Sequence, residues 1–130
     1  MNRTVLADMY LVHTQEINKT NTTYTSVQEI ETFLKAQMEA HPIATYISTF
    51  DHYAHTNNLE GGMIPGDIKA SINVMCCFGM AIPSAIFMAV KPMAIAVVET
   101  TNSFVLSFIE APAPSAQQAM ESWVVAIENK

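Results

Sequence analysis

The feature that most constrains this chain is an uncharged run near its middle. Residues 70–90 read ASINVMCCFGMAIPSAIFMAV and include two adjacent cysteines and three methionines, with no charged side chain. As an α-helix, a run of this length would just cross a bilayer core of about 30 Å. Three interpretations therefore compete: a membrane span, a soft-metal or redox site, or the buried part of a soluble fold.

Composition argues against the membrane span. The strongly apolar residues of the run would supply only about −2 to −4 kcal/mol of insertion free energy. Ser71, Asn73, Gly79 and Ser84 oppose insertion, and Pro83 would break a helix in mid-segment. We therefore predict that the run forms buried core and does not span a membrane.

Length and charge bound the class of protein. At 130 residues the chain is expected to form a single domain over residues 1–130. The net charge is −6, and the 6 Lys and Arg residues are scattered, so no basic stripe exists for nucleic acid to bind. Half of the residues are apolar and only 14% are charged. This balance favours burial of apolar surface between subunits and predicts a homodimer.

The N-terminal residues and the cysteines bear on localisation. The first twenty residues are too polar and too interrupted to serve as a secretory signal. Cys76 and Cys77 are adjacent, and adjacent cysteines rarely form a disulfide because the connecting peptide strains its geometry. Free thiols, and hence a reducing cytoplasmic location, are the expectation.

Hydrophobic periodicity predicts the order of elements. Alternation from Met9 to Ile17 indicates a strand, and a capping box of Ser26 and Glu29 begins a helix that Pro42 ends. A second capping box, Ser115 with Gln118, begins a C-terminal helix. Residues 84–90 are predicted to be either a short helix or irregular. Further strands are predicted at residues 43–56, 68–78, 92–99 and 104–110.

The resulting order is β-α-β-β-β-β-α. Short connections between the later strands favour hairpins. The sequence therefore predicts an α+β fold, with an antiparallel sheet and two helices packed on one of its faces.

The densest polar cluster is FDHYAH, residues 50–55. On an extended strand Asp51 and His55 share one face and His52 lies on the other, so the two histidines can pair only if the strand ends between them. Asp51 could orient a histidine, or His55 could join His13 in a metal or acid–base site. Alternatively, these are ordinary polar residues at a strand end, with Asp51 accepting hydrogen bonds from loop amides.

Cys76 and Cys77 do not form a C-x-x-C pair, and on a strand their side chains point to opposite faces. Either could join a methionine in a Cu(I) site, but methionine and free cysteine are also common core residues. The methionines available for such a site are Met75, Met80, Met88 and Met93.

No catalytic template is present, so no residue is assigned a catalytic or metal-binding role and no cofactor is implied.

Several features together resemble an uncharacterised family, domain of unknown function 302. They are Phe50-Asp51-His52, Pro65, Cys77-Phe78-Gly79 with Pro83, Lys91-Pro92 and Ala111-Pro112. The match covers about residues 44–128, and Met80-Ala81-Ile82 replaces the asparagine of the family's turn. The resemblance implies a fold of the TATA-box-binding-protein type and a homodimer, and it supplies no activity.

Two functional hypotheses follow. The first is a dimeric cytoplasmic module that binds a small apolar or amphipathic ligand between sheet and helices, with Asp51 and His52 as polar contacts. The second is a metal- or thiol-dependent enzyme or soft-metal carrier that uses His52, His55 and Cys76 or Cys77. The predicted ligand-binding residues are Asp51, His52, His55, Cys77 and Phe78.

Overall fold

The computed structural model describes all 130 residues. Its N-terminal part is a hairpin of β1 (Asn2–Leu6) and β2 (Tyr10–Asn18). Ala7 and Asp8 turn the chain with φ angles of 50° and 56°. Turns with two positive φ angles normally carry Asn-Gly or Asp-Gly, so Ala-Asp gave no hairpin signal. The prediction of a single N-terminal strand is therefore wrong: two strands form there.

The first long helix, α1 (Val27–Ala40), begins at the predicted capping box. The Ser26 hydroxyl accepts a hydrogen bond from the Glu29 amide at 3.2 Å. The Glu29 carboxylate reaches back one residue further than expected and accepts from the Thr25 amide at 2.7 Å. A turn of 3₁₀ helix, Lys19–Asn21, lies between β2 and α1. The buried side of α1 is Val27, Ile30, Leu34 and Met38.

The strand predicted to run to Thr56 ends earlier. β3 (Ala44–Asp51) stops at Asp51, and α2 (His52–Asn57) follows directly. The Asp51 carboxylate accepts a hydrogen bond from the Ala54 amide at 2.9 Å and caps the helix. An aspartate cap is strong enough to start a helix at this point, despite the aromatic and β-branched residues that favoured a strand.

The rest of the chain follows the predicted order. β4 (Ile68–Phe78) leads into an irregular connection that ends in a 3₁₀ helix, Ile86–Val90, and then come β5 (Met93–Thr100) and β6 (Ser103–Ile109). The last helix is α3 (Pro114–Val125). The Ser115–Gln118 capping box is wrong. Ala113 occupies the cap position without a side-chain hydrogen bond, and Pro114 opens the first turn.

All six strands form one antiparallel sheet in the order β1-β2-β6-β5-β4-β3. Inward residues of β2 and β4–β6 join the buried residues of α1 and α3 in one cluster of 18 side chains. Both helices therefore cover the same face, which confirms the predicted α+β class with an antiparallel sheet.

The other face of the sheet, here called the open face, is not covered by a helix. Its side chains alternate with the core residues. Those of the central strands β4 and β5 are half-buried from Ser71 to Cys77 and from Ala94 to Val98, whereas outer ones such as Phe50 and Asn2 are exposed. The strand register places one row of them across the whole sheet. In the two rows beside it, the charged side chain is Glu16. The row consists of Phe50, Asn73, Ala96, Ser107, Thr14 and Asn2.

The uncharged run that opened the sequence divides at Phe78. Residues 70–78 lie in β4, where Ile72, Val74 and Cys76 are in the core as predicted. Residues 79–90, here called the apolar segment, lie on the surface, with Ile82 76% and Ile86 86% exposed. The prediction that the whole run forms buried core is wrong for this segment, because the buried cluster is made by the sheet, α1 and α3 without it. No helix of the structure combines the length and the apolar character that a membrane crossing requires.

Candidate functional site

The structure divides the predicted site residues between two ends of the sheet. Asp51 pairs with Ile72, whereas Phe78 pairs with Ala44 at the opposite end of the same two strands. Six residue-to-residue steps along β4 lead from Ile72 to Phe78, which corresponds to about 20 Å. Asp51, His52 and His55 therefore lie together at one end, and Cys77 and Phe78 lie together at the other.

At the first end, the early stop of β3 brings the two histidines together. His52 and His55 are three residues apart on α2, with ring centroids 6.1 Å from each other. Both rings also lie 5.3 Å from the ring of Phe50. The Asp51 carboxylate is directed to the helix amide and not to either imidazole. No group of three or more His, Cys, Asp and Glu residues in the structure is arranged to hold a metal ion.

A small cavity of about 180 Å³ lies beside α2. His52 lines it, whereas Asp51 and His55 do not. Its other walls come from α2, from the loop before β4 and from the start of β4. They are Tyr53, Thr56, Met63, Ile64, Pro65, Ile68 and Ser71.

His13, the third histidine considered, lies far from α2. It is on β2, four strand spacings or about 19 Å from β3, so it does not meet His55. Its side chain is 8% exposed and lies between two carboxylates, with Nε2 3.5 Å from Glu110 and Nδ1 3.8 Å from Glu121. The ring stacks on Phe108. The carboxylates face different ring nitrogens, and this geometry does not suit a shared metal ion.

The two cysteines point to opposite faces of β4, as the sequence predicted. Cys76 is buried in the core, and Cys77 is half-buried on the open face. Burial, with a smaller contribution from the neighbouring Cys77, raises the pKa of the Cys76 thiol to about 12. Cys76 therefore stays protonated near neutral pH and is a core residue.

The second end of the sheet holds a cavity of about 730 Å³. It lies where β5 begins and β6 ends, and it is partly open to solvent. The 3₁₀ helix of the apolar segment forms one side. Its walls are Tyr10, Ala89, Val90, Pro92, Met93, Ala94, Ile109, Glu110, Ala111 and Pro112.

A smaller and more enclosed cavity of about 210 Å³ adjoins the large one, because Met93 and Pro112 line both. Two predicted site residues, Cys77 and Phe78, are in its walls. The two cavities together are here called the end groove. The remaining walls of the smaller cavity are Pro83, Phe87, Lys91, Ala113 and Ala116.

Phe78 connects the end groove to the core. Its ring stacks on Trp123 with centroids 5.8 Å apart and planes inclined by 14°. His41, which follows α1, meets both rings edge-on at 5.5 and 6.0 Å. Trp123 is 6% exposed and is the only tryptophan. The wall of the groove is thus fixed by three aromatic rings from separate elements.

Lys91 is the one cationic residue of the end groove. Its ammonium donates a hydrogen bond to the Phe78 carbonyl oxygen at 3.1 Å and lies 5.5 Å from the centre of the Phe87 ring. The Cys77 thiol approaches the same carbonyl at 3.9 Å. Sequence reasoning did not select Lys91 or Phe87 as site residues. The available signal was a lone lysine that ends a long uncharged run.

Comparisons with known proteins place the chain in a family without giving it an activity. A family model described as a family of unknown function, DUF6858, matches residues 1–129. No curated protein and no solved structure matches the chain. These comparisons do not confirm the resemblance to domain of unknown function 302 or a fold of the TATA-box-binding-protein type.

Proposed function

We propose that this chain, which belongs to the DUF6858 family of unknown function, is a cytoplasmic module that binds a small apolar or amphipathic molecule in the end groove. The observation that carries the proposal is the groove itself. It joins a cavity of about 730 Å³ to a more enclosed one of about 210 Å³, and most of its walls are apolar. Ligand sites in proteins are typically concave and apolar, with a few polar groups placed among the apolar walls.

The apolar segment supports the proposal. Contiguous exposed apolar surface is uncommon on monomeric soluble proteins and usually marks a binding surface. Here the exposed residues belong to the same segment as Phe87 and Val90, which line the groove. A bound apolar molecule would remove part of this surface from water. The exposed large residues of the segment are Met80, Ile82, Ile86, Phe87 and Val90.

The same proposal includes a homodimer formed through the open face. Six strands about 4.8 Å apart, each contributing about seven residues of 3.3 Å, give a face of about 650 Å² before side-chain relief is counted. Stable interfaces bury about 800 Å² from each partner, so the face is of suitable size for a second copy. Small neutral side chains such as Ala96 and Ser107 allow two sheets to approach closely.

The dimer interface would also adjoin the groove. Tyr10, Ala94 and Ile109 line the large cavity and belong to the open face. A second sheet stacked on that face would therefore lie beside these wall residues of the cavity. This relation favours a second copy of the chain as the occupant of the open face.

The predicted polar contacts have different places in this proposal. Cys77 and Phe78 would contact the ligand directly. Asp51, His52 and His55 lie at the other end of the sheet, so they would contribute only through the cavity beside α2, which His52 lines. Free thiols at Cys76 and Cys77 fit the proposed reducing cytoplasm.

A binding role is favoured over the thiol- or metal-dependent alternative. That alternative needs His52 and His55 to act with Cys76 or Cys77, and the sheet holds the two pairs at opposite ends. The Cys76 thiol is buried and protonated near neutral pH. No specific contact in the structure supports joint chemistry of these groups.

Native mass spectrometry of protein purified without denaturation tests the proposal. The expected species has twice the 14.3 kDa mass of the chain and carries additional mass that solvent extraction removes as a small molecule. A strictly monomeric protein of 14.3 kDa without a bound molecule, which also fails to take up an added apolar compound, would contradict it.

A further inference from the structure

We infer that Lys91 binds the negatively charged group of the ligand, so that the end groove selects an amphipathic carboxylate over a neutral molecule of the same shape. The inference rests on the proposed function and specifies its ligand class. The observation that supports it is that the Lys91 ammonium lies in an apolar cavity without a counter-charge.

Lys91 is isolated from other charges. It is the only Lys or Arg between Lys69 and Lys130. The ion pairs of the structure join Arg3 and His13 to Glu110, His13 to Glu121, and Lys19 to Glu99, and Lys91 takes part in none of them. An ammonium has three N–H donors, and the Phe78 carbonyl accepts one. Two donors are therefore available to a ligand.

The surroundings of Lys91 favour an anion. The side chain is half-buried, and the walls around it include Phe78, Pro83 and Phe87. Burial of an unpaired charge is unfavourable, and attraction between opposite charges is stronger in a cavity of low dielectric constant than in water. A carboxylate placed beside the ammonium would offset the cost of burying the Lys91 charge. Its attraction to the ammonium would be stronger there than in water.

The charges of the groove also set the orientation of the ligand. Lys91 lies in the smaller cavity, and Glu110 lines the larger one. A negatively charged group is attracted to the first position and repelled from the second. The apolar part of the ligand would then extend past Met93 and Pro112, which line both cavities, toward Ile109 and Val90.

Calorimetric titration with decanoate and with 1-decanol tests this inference, and the fluorescence of Trp123, behind Phe78, gives a second readout. For the wild-type protein we expect decanoate to bind about tenfold more tightly or better, the usual range for a charge-assisted hydrogen bond. Lys91→Met should remove the preference and retain decanol binding, whereas Lys91→Arg should keep the preference. Lys69→Met is the matched control, because Lys69 contacts the exposed Gly66 carbonyl outside the groove.

The outcomes separate the inference from the proposed function. Equal affinities of wild-type protein for decanoate and decanol, or an unchanged preference in a folded Lys91→Met variant, would overturn the role of Lys91 and leave the groove as a binding site. Failure of both compounds to bind would contradict the proposed function as well. The wild-type comparison decides the matter even if Lys91→Met does not fold.

Discussion

Cys76 and Cys77 are neighbours in the chain and lie on opposite faces of β4, one in the core and one on the open face. This relation, which the sequence predicted, gives the two thiols separate roles. Cys76 packs among the residues that hold the helices on the sheet. Cys77 lines the smaller cavity of the end groove with Phe78 and Lys91.

We therefore predict that the two thiols of the native protein react differently. Iodoacetamide should alkylate Cys77 and leave Cys76 unmodified in protein dilute enough to be monomeric, because the open face is then uncovered, whereas burial raises the pKa of Cys76 to about 12 and hides its sulfur from the reagent. Peptide mapping by mass spectrometry measures the modification at each position. Cys77→Ser should abolish labelling of the native protein, and both cysteines of the wild type should react in urea. Equal reaction of both thiols in the folded protein would show that this assignment is wrong.

The proposed dimer predicts a strong effect at the centre of the open face. Ala96→Glu introduces a charge between Asn73 and Ser107, and it should convert the dimer to a monomer because a second sheet would have to bury that charge. Light scattering coupled to size-exclusion chromatography measures the mass. Ala36→Glu, at an exposed position of α1, is the matched control and should remain dimeric. A dimer that persists in Ala96→Glu would place the interface elsewhere.

Asp51 is predicted to act mainly as a helix cap. Asp51→Ala should lower the free energy of unfolding by about 1 kcal/mol, the usual value for loss of an aspartate cap. Asp51→Asn should be close to wild type, because asparagine caps equally well. Urea unfolding measures both. If Asp51→Asn and Asp51→Ala are equally destabilised, the negative charge of Asp51 matters and the capping role does not account for the residue.

The start of α1 predicts a pH dependence. The Thr25 hydroxyl and amide donate hydrogen bonds that lower the pKa of Glu29 below its usual 4.5. Because the pKa is lower in the folded state, Glu29 stabilises the fold above pH 4.5, and the contribution is lost as pH falls through the folded-state value. Thr25→Ala should raise the Glu29 pKa toward 4.5 in an NMR titration. Thr4→Ala, on β1, should leave it unchanged, and an unshifted value in Thr25→Ala would contradict this explanation.

The sequence was sufficient for those parts of the fold that depend on periodicity and capping. The spacing of Ile30, Leu34 and Met38 predicted the buried face of α1, and the order of the later strands was correct. Local backbone geometry was harder to predict. Two features depend on where neighbouring strands end: the positive φ angles at Ala7 and Asp8, and the cap at Asp51. Residue types alone do not specify those strand ends.

The candidate site was harder still to predict, because it depends on which strand ends meet. The sequence selected Cys77 and Phe78, but it grouped them with Asp51 and His52, which the register of β3 and β4 places at the opposite end. It also assigned residues 79–90 to the core. Apolar content predicts burial, but it does not identify the part of the protein that covers the apolar surface.

A methyl NMR titration with 1-decanol shows whether the end groove holds the ligand. Met93 and Ile109 line the groove, whereas Met63 and Ile64 line the cavity beside α2, so the two locations have separate reporters. We predict saturable shifts of the Met93 and Ile109 methyl signals, with those of Met63 and Ile64 unchanged. Shifts confined to Met63 and Ile64, or no saturable shift at any of the four, would contradict the account.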